Sequence, residues 1–135
     1  SFPTMATNTQ LLQAKSLANH HYEARRMETV KRAQPPGTQN VSKRKLQKCL
    51  DQVGDEWRTY YEASLTFINQ GTFAEEEERE RLNNQLALER ATHRDWLDPV
   101  EQTFKNLEQA DNPPVQQGLN AAQLLAKLNA DIETK

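Results

Sequence analysis

Three pairings of titratable residues have types that could do chemistry, and their spacing limits each one. His20 and His21 are adjacent, so on a helix they point about a hundred degrees apart and cannot share a metal ion with good geometry. Cys49 and His93 lie far apart in the chain, with no second pair at ligand spacing; a packed thiol and a partly buried imidazole account for them better than zinc does. Glu89 and His93 are four residues apart, so they share a helix face and could act as acid and base. In an apolar seam the same pair reads as a polar contact that sets register. Phosphate-gripping glycine loops, nucleophile elbows and metalloprotease signatures are all missing. The expectation is a chain that is not an enzyme and has no catalytic, metal or cofactor site.

Those residues must be positioned by helices. Gln34-Pro35-Pro36-Gly37-Thr38, Asn69-Gln70-Gly71-Thr72 and Asp111-Asn112-Pro113-Pro114 are turn-forming stretches separating segments of helical periodicity. Residues 1–8 read as a disordered lead or expression remnant, and residues 9–135 as one helical domain. Its helices are expected at about 8–33, 42–69, 73–97, 98–110 and 115–132. The first has a weak stripe around Leu11, Ala14, Ala18, His21, Tyr22 and Arg25, as in a helix ordered only against a partner. The second carries Leu46, Leu50, Val53, Trp57, Tyr60, Ser64 and Phe67 at alternating spacings of four and three, widened by Tyr61, Leu65 and Ile68. Ser42 suits its N-cap and Gly71 its stop.

The third helix is expected to open on a capping box of Thr72 and Glu75, with Glu75 to Glu78 at the positive end of its dipole. Its seam is Leu82, Leu86, Glu89, His93 and Trp96. Pro99 follows Asp98 as a first-turn proline follows an N-cap, which leaves open a kink, a break or a continuous rod. The last segment aligns Ala121 or Ala122 with Leu125, Leu128 and Ile132. Apolar residues are 36% of the 135, thin for a globular core, and Ala, Leu, Gln, Glu, Lys and Arg dominate. The fold class is all-α: an elongated antiparallel bundle or coiled-coil-like hairpin of about four helical segments.

Charge is divided by position. Residues 1–50 hold nine bases against two acids, net +7, whereas residues 51–135 hold eight bases against seventeen acids, net −9. Arg25, Arg26, Lys31, Arg32, Lys43, Arg44, Lys45 and Lys48 gather around the Pro-Gly loop and would be the polyanion contacts of a nucleic-acid or anionic-surface reading. Stacking aromatics are sparse there. The basic part is equally suited to meet the acidic run Glu75 to Glu80, within the molecule or across a dimer. One cysteine suits a reducing compartment, and no apolar run approaches the roughly 18 residues of a membrane span. Cytoplasmic or nuclear placement, not secretion, is expected.

Two resemblances add to this. Leu46-Gln47-Lys48-Cys49-Leu50-Asp51-Gln52-Val53 through Trp57-Arg58-Thr59-Tyr60-Tyr61, followed by an acidic turn and a charged helix ending in Asn106-Leu107-Glu108, resembles the helical N-terminal Gag region of Bel/Pao-type retrotransposons over residues 40–110. That resemblance implies a structural polyprotein segment engaged in self-assembly. Trp96-Leu97-Asp98-Pro99-Val100-Glu101-Gln102-Thr103-Phe104 is similar to the first-helix signature of spectrin repeats, although too few residues follow for a full repeat. The expected function is protein–protein association, as an oligomeric assembly or adaptor module. Its expected seam is Leu46, Leu50, Val53, Trp57, Tyr60, Phe67, Leu82, Leu86 and Trp96; the alternative is polyanion binding through residues 25–48.

Overall fold

The computed structural model describes residues 6–34 and 41–111, together with Leu125, Ala126 and Leu128. Three helices carry it: α1 (Asn8–Ala33), α2 (Lys43–Gln70) and α3 (Glu76–Asp111). No strand occurs among the described residues, and none of the described helices is long and apolar enough to cross a membrane. The chain divides into two compact units, Ser1–Phe104 and Lys105–Lys135, where the sequence suggested one domain. The expected last helix lies outside the described residues except for Leu125, Ala126 and Leu128, which are helical and exposed.

Thr7 starts α1 with a capping box: Gln10 N donates to Thr7 Oγ1 at 3.2 Å and Thr7 N donates to Gln10 Oε1 at 2.9 Å. Thr7, assigned to the lead, is therefore the N-cap of the helix expected from residue 8. Lys31 and Arg32 sit in the last turn of α1, where the dipole favours cations. Its buried residues are Leu11, Ala18, Tyr22, Thr29 and Ala33. Their spacing of seven and four keeps one face inward, and the two alanines and Thr29 let neighbouring backbones come close. The stripe is weak because these contacts depend on small and polar groups more than on apolar bulk, and Ala14 and His21 are exposed.

Ser42 caps α2, accepting from Lys45 N at 3.4 Å. At the other end Gly71 N donates to the Phe67 carbonyl at 2.8 Å. A Cβ on Gly71 would lie 2.5 Å from that carbonyl oxygen, so a glycine is required there by lack of space. The expected Thr72–Glu75 box does not start α3. Thr72 N instead donates to Asn8 Oδ1 at 2.8 Å, while Asn8 Nδ2 donates to the Thr72 carbonyl at 2.6 Å. Helix α3 begins at Glu76, with Glu76, Glu77 and Glu78 in its first turn. Arg79 donates to the carbonyls of Ile68 and Gly71 and lies over the Phe73 ring, so one side chain caps α2 and holds the α2–α3 joint.

Pro99 lies inside α3. Proline deletes one backbone hydrogen bond and crowds the preceding turn, yet Leu97 and Val100 are buried on either side of it. Asp98 does not cap a new helix; it accepts from Arg94 at 3.0 Å, and Glu101 accepts from the same guanidinium at 2.8 Å.

Within the first unit, pairs across the helices establish direction. Asn8 meets Thr72, and Thr29 Oγ1 lies 3.4 Å from the Cys49 carbonyl, so α1 and α2 are antiparallel. Tyr60 meets Glu89 and Ile68 meets Arg79, so α3 turns back again and runs parallel to α1. The core includes Ala18, Tyr22, Val53, Tyr60, Ile68, Leu86 and Leu97, with Leu50, Trp57, Leu82 and Trp96 packed against it.

Candidate functional site

All nine residues of the expected association seam lie in the interior of this unit or at its margin. Leu46, Val53, Tyr60, Phe67 and Leu86 are buried, and Leu50, Trp57, Leu82 and Trp96 pack on the core from partly buried positions. The seam is covered by the chain's own α1 and α3, so its apolar surface faces inward.

At its centre an aromatic cluster surrounds His93. The Trp57 ring stacks on the imidazole with centroids 4.4 Å apart and planes 7° apart. Tyr22 Oη is 2.7 Å from His93 Nδ1, and Trp96 Nε1 donates to Tyr22 Oη at 2.9 Å. An indole nitrogen can only donate, so the phenol oxygen accepts from Trp96 while it pairs with His93 Nδ1. Burial pushes the His93 pKa down to about 4, helped by the neighbouring Arg94 charge and opposed by Glu101. Burial likewise pushes the Tyr22 phenol up to about 12.

One turn back, Tyr60 Oη donates to Glu89 Oε2 at 2.5 Å. Burial and this bond to a carboxylate raise the Tyr60 pKa. Ser64 is buried beside it, with an Oγ that makes no hydrogen bond of good geometry. The two groups that the sequence offered as acid and base, Glu89 and His93, are each bonded to a tyrosine, one from α2 and one from α1. They fix the register of α3 against both neighbours. Sequence reasoning placed Tyr22 on a helix face but missed it as the hub of this network, since none of its partners lies within 30 residues of it.

Above the cluster, between α1 and α3, opens a groove of about 300 Å³ lined by Tyr22, Trp57, His93, Trp96, Glu23, Arg26, Glu89 and exposed Leu88. Its charged groups are engaged: Glu23 accepts from Arg26, and Glu89 from Tyr60. His20 and His21 are exposed, and no cluster of His, Cys, Asp and Glu suited to a metal occurs among the described residues. Cys49 is buried, and burial pushes its thiol pKa up.

The eight bases separate into two groups. Arg25 donates to Glu28 and Gln52, and Arg26 to Glu23, so these two are tied along the bundle side. Lys31 and Arg32 end α1, while Lys43, Arg44, Lys45 and Lys48 begin α2, and the Thr29–Cys49 contact brings these turns together. The stretches 29–34 and 41–50 contain these six bases and no acid. Residues 75–80 hold five glutamates and Arg79, net −4, and begin α3 at the opposite end of α2. The 28 residues of α2 span about 42 Å at 1.5 Å per residue, roughly four Debye lengths at 0.1 M salt. The expected meeting of the two charge clusters inside one molecule does not occur, because the up–down–up path puts them at opposite ends. Arg44 and Lys45 also stand at the positive end of the α2 dipole, a locally unfavourable place for cations.

Comparison with protein-family models, curated proteins and solved structures finds no match for this chain.

Proposed function

We propose that this chain is a non-enzymatic protein–protein association module with a structural or assembly role, such as self-assembly of the Gag-like kind. The observation that carries the reading is the separation of a six-base end from an acidic end along one three-helix unit. Neither cluster is neutralised by the other within the molecule; Glu76 and Glu78 pair locally with Arg79 and Arg81, and exposed Arg44, Lys45, Lys48, Glu75, Glu77 and Glu80 are offered to a partner. Complementary fields of this kind steer and orient association more than they strengthen it. Exposed Leu12, Leu17, Met27 and Leu88 supply apolar contact. A reducing cytoplasmic or nuclear setting suits the buried, high-pKa Cys49.

Analytical ultracentrifugation at micromolar concentration tests this at about 50 mM and about 500 mM salt, conditions that bracket strong and weak screening. The expected result is a mass above the 15.5 kDa of one chain at low salt, falling toward it at high salt. A single mass of 15.5 kDa at every concentration and salt would refute the reading.

A second reading, polyanion binding, draws on Arg44 and Lys45 at the positive end of α2. It predicts that replacing Lys43, Arg44 and Lys45 with Gln weakens binding to all nucleic-acid sequences alike and flattens the salt dependence by up to about three phosphate contacts. Loss confined to one sequence would refute it.

A further inference from the structure

We infer that the partner is a second copy of this chain lying alongside the first and antiparallel to it, so that the basic end of each meets the acidic end of the other. This rests on the association reading above and adds the geometry of the joint.

Two arrangements of identical chains bring unlike ends together. In the first, copies stack tip to tip and one joint forms per contact. Taken by itself, the first unit, with three helices of about 10 Å diameter, offers roughly 20 Å across at its end, or about 300 Å² per partner, which is the scale of a packing contact. In the second, copies lie side by side about a two-fold axis. The described length of α2, 28 residues, then allows about 40 Å by 20 Å, or about 800 Å² per partner, the size of a specific interface.

The two-fold arrangement also closes both charge joints in one association event. The second joint forms within an already tethered pair, so its entropy of association is largely met by the first. It is self-complementary and closes at two copies. A parallel pair would set Lys31, Arg32, Arg44 and Lys45 against their own counterparts and is opposed by repulsion.

Two variants make the joint testable without touching the core. Arg44, Lys45 and Lys48 are exposed, as are Glu75, Glu77 and Glu80. The first variant carries Arg44→Gln, Lys45→Gln and Lys48→Gln; the second carries Glu75→Gln, Glu77→Gln and Glu80→Gln. Helical circular dichroism and a cooperative urea transition establish that each is folded.

At low salt the wild type should saturate at twice 15.5 kDa and go no further. Each variant alone lacks both joints and should sit near 15.5 kDa, its dimer dissociation constant raised about tenfold or more. Mixed in equal amounts the variants restore one joint, and a two-chain species should reappear, more salt-sensitive than the wild type. A wild-type mass that keeps growing past two chains would establish tip-to-tip stacking and overturn the inference while leaving association intact. So would variants that dimerise alone as well as the wild type, or a mixture that stays single-chain. A wild type that never leaves 15.5 kDa would instead fail the association reading itself, and this inference with it.

Discussion

His93 makes stability depend on pH in a window where few other side chains titrate. In the unfolded chain its imidazole takes up a proton near the ordinary value of 6.5; in the fold it does so only at about 4. Between these values the unfolded state binds more protons, so stability falls as pH falls, and above about 6.5 the group contributes no slope. At 7% exposure the ring is screened little by water. The shift predicts a loss of about 2 kcal/mol at pH 5 and about 3 kcal/mol at pH 4 relative to pH 7. The structure explains why: Trp57, Tyr22 and Trp96 enclose the ring, and burial disfavours the charged imidazolium. Carboxylates also titrate below pH 5, so the measurement is a difference. His93→Gln keeps a planar hydrogen-bonding group beside Tyr22 and cannot titrate. Urea denaturation from pH 7 to 4, followed by tryptophan fluorescence, reads the cluster directly because Trp57 stacks on His93 and Trp96 bonds to Tyr22. The variant should start less stable and lose less with acid, narrowing its gap to the wild type by about 3 kcal/mol at pH 4. Two parallel stability curves would refute the buried neutral imidazole.

Trp57→Ala should cost about 3 to 5 kcal/mol in chemical denaturation, because the ring lies against Tyr22, Tyr60, Tyr61 and His93 and the small residue leaves a cavity; a loss below about 1 kcal/mol would contradict its place in the core. Gly71→Ala should lower stability by about 1 to 3 kcal/mol, since its Cβ would strike the Phe67 carbonyl. Gly54→Ala, in the middle of α2 with nothing within 4 Å of the new Cβ, should raise stability by about 0.5 to 1 kcal/mol, and thermal melts of the pair read opposite signs. Arg44→Glu should stabilise the folded chain by about 0.3 to 1 kcal/mol through the α2 dipole and yet weaken self-association in sedimentation at low salt; a variant that loses stability and associates unchanged would refute the role given to that end.

The helix class, the bounds of α1 and the Ser42 and Gly71 ends of α2 were legible in the sequence because they are set by neighbours a few residues away: periodicity, a cap, a crowded glycine. Local reasoning failed where a distant residue outbid a local one. Thr72 and Glu75 have the makings of a capping box, but the Thr72 backbone bonds to Asn8, 64 positions away, and α3 starts later. Asp98-Pro99 has the form of a helix start, but burial of Leu97 and Val100 carries α3 through it.

The candidate site divides in the same way. Its residues were visible as an apolar seam containing Glu89 and His93, and the opposite charge of the two halves could be counted directly. Whether that seam faced a partner or the chain itself was decided by α1, whose weak stripe gives little sign that Tyr22 will cover His93. Whether the two charge clusters meet was decided by the path of three helices. Charge along a sequence has order but no distance, and only the up–down–up packing turns that order into a separation of about 42 Å along α2, too far for either cluster to neutralise the other.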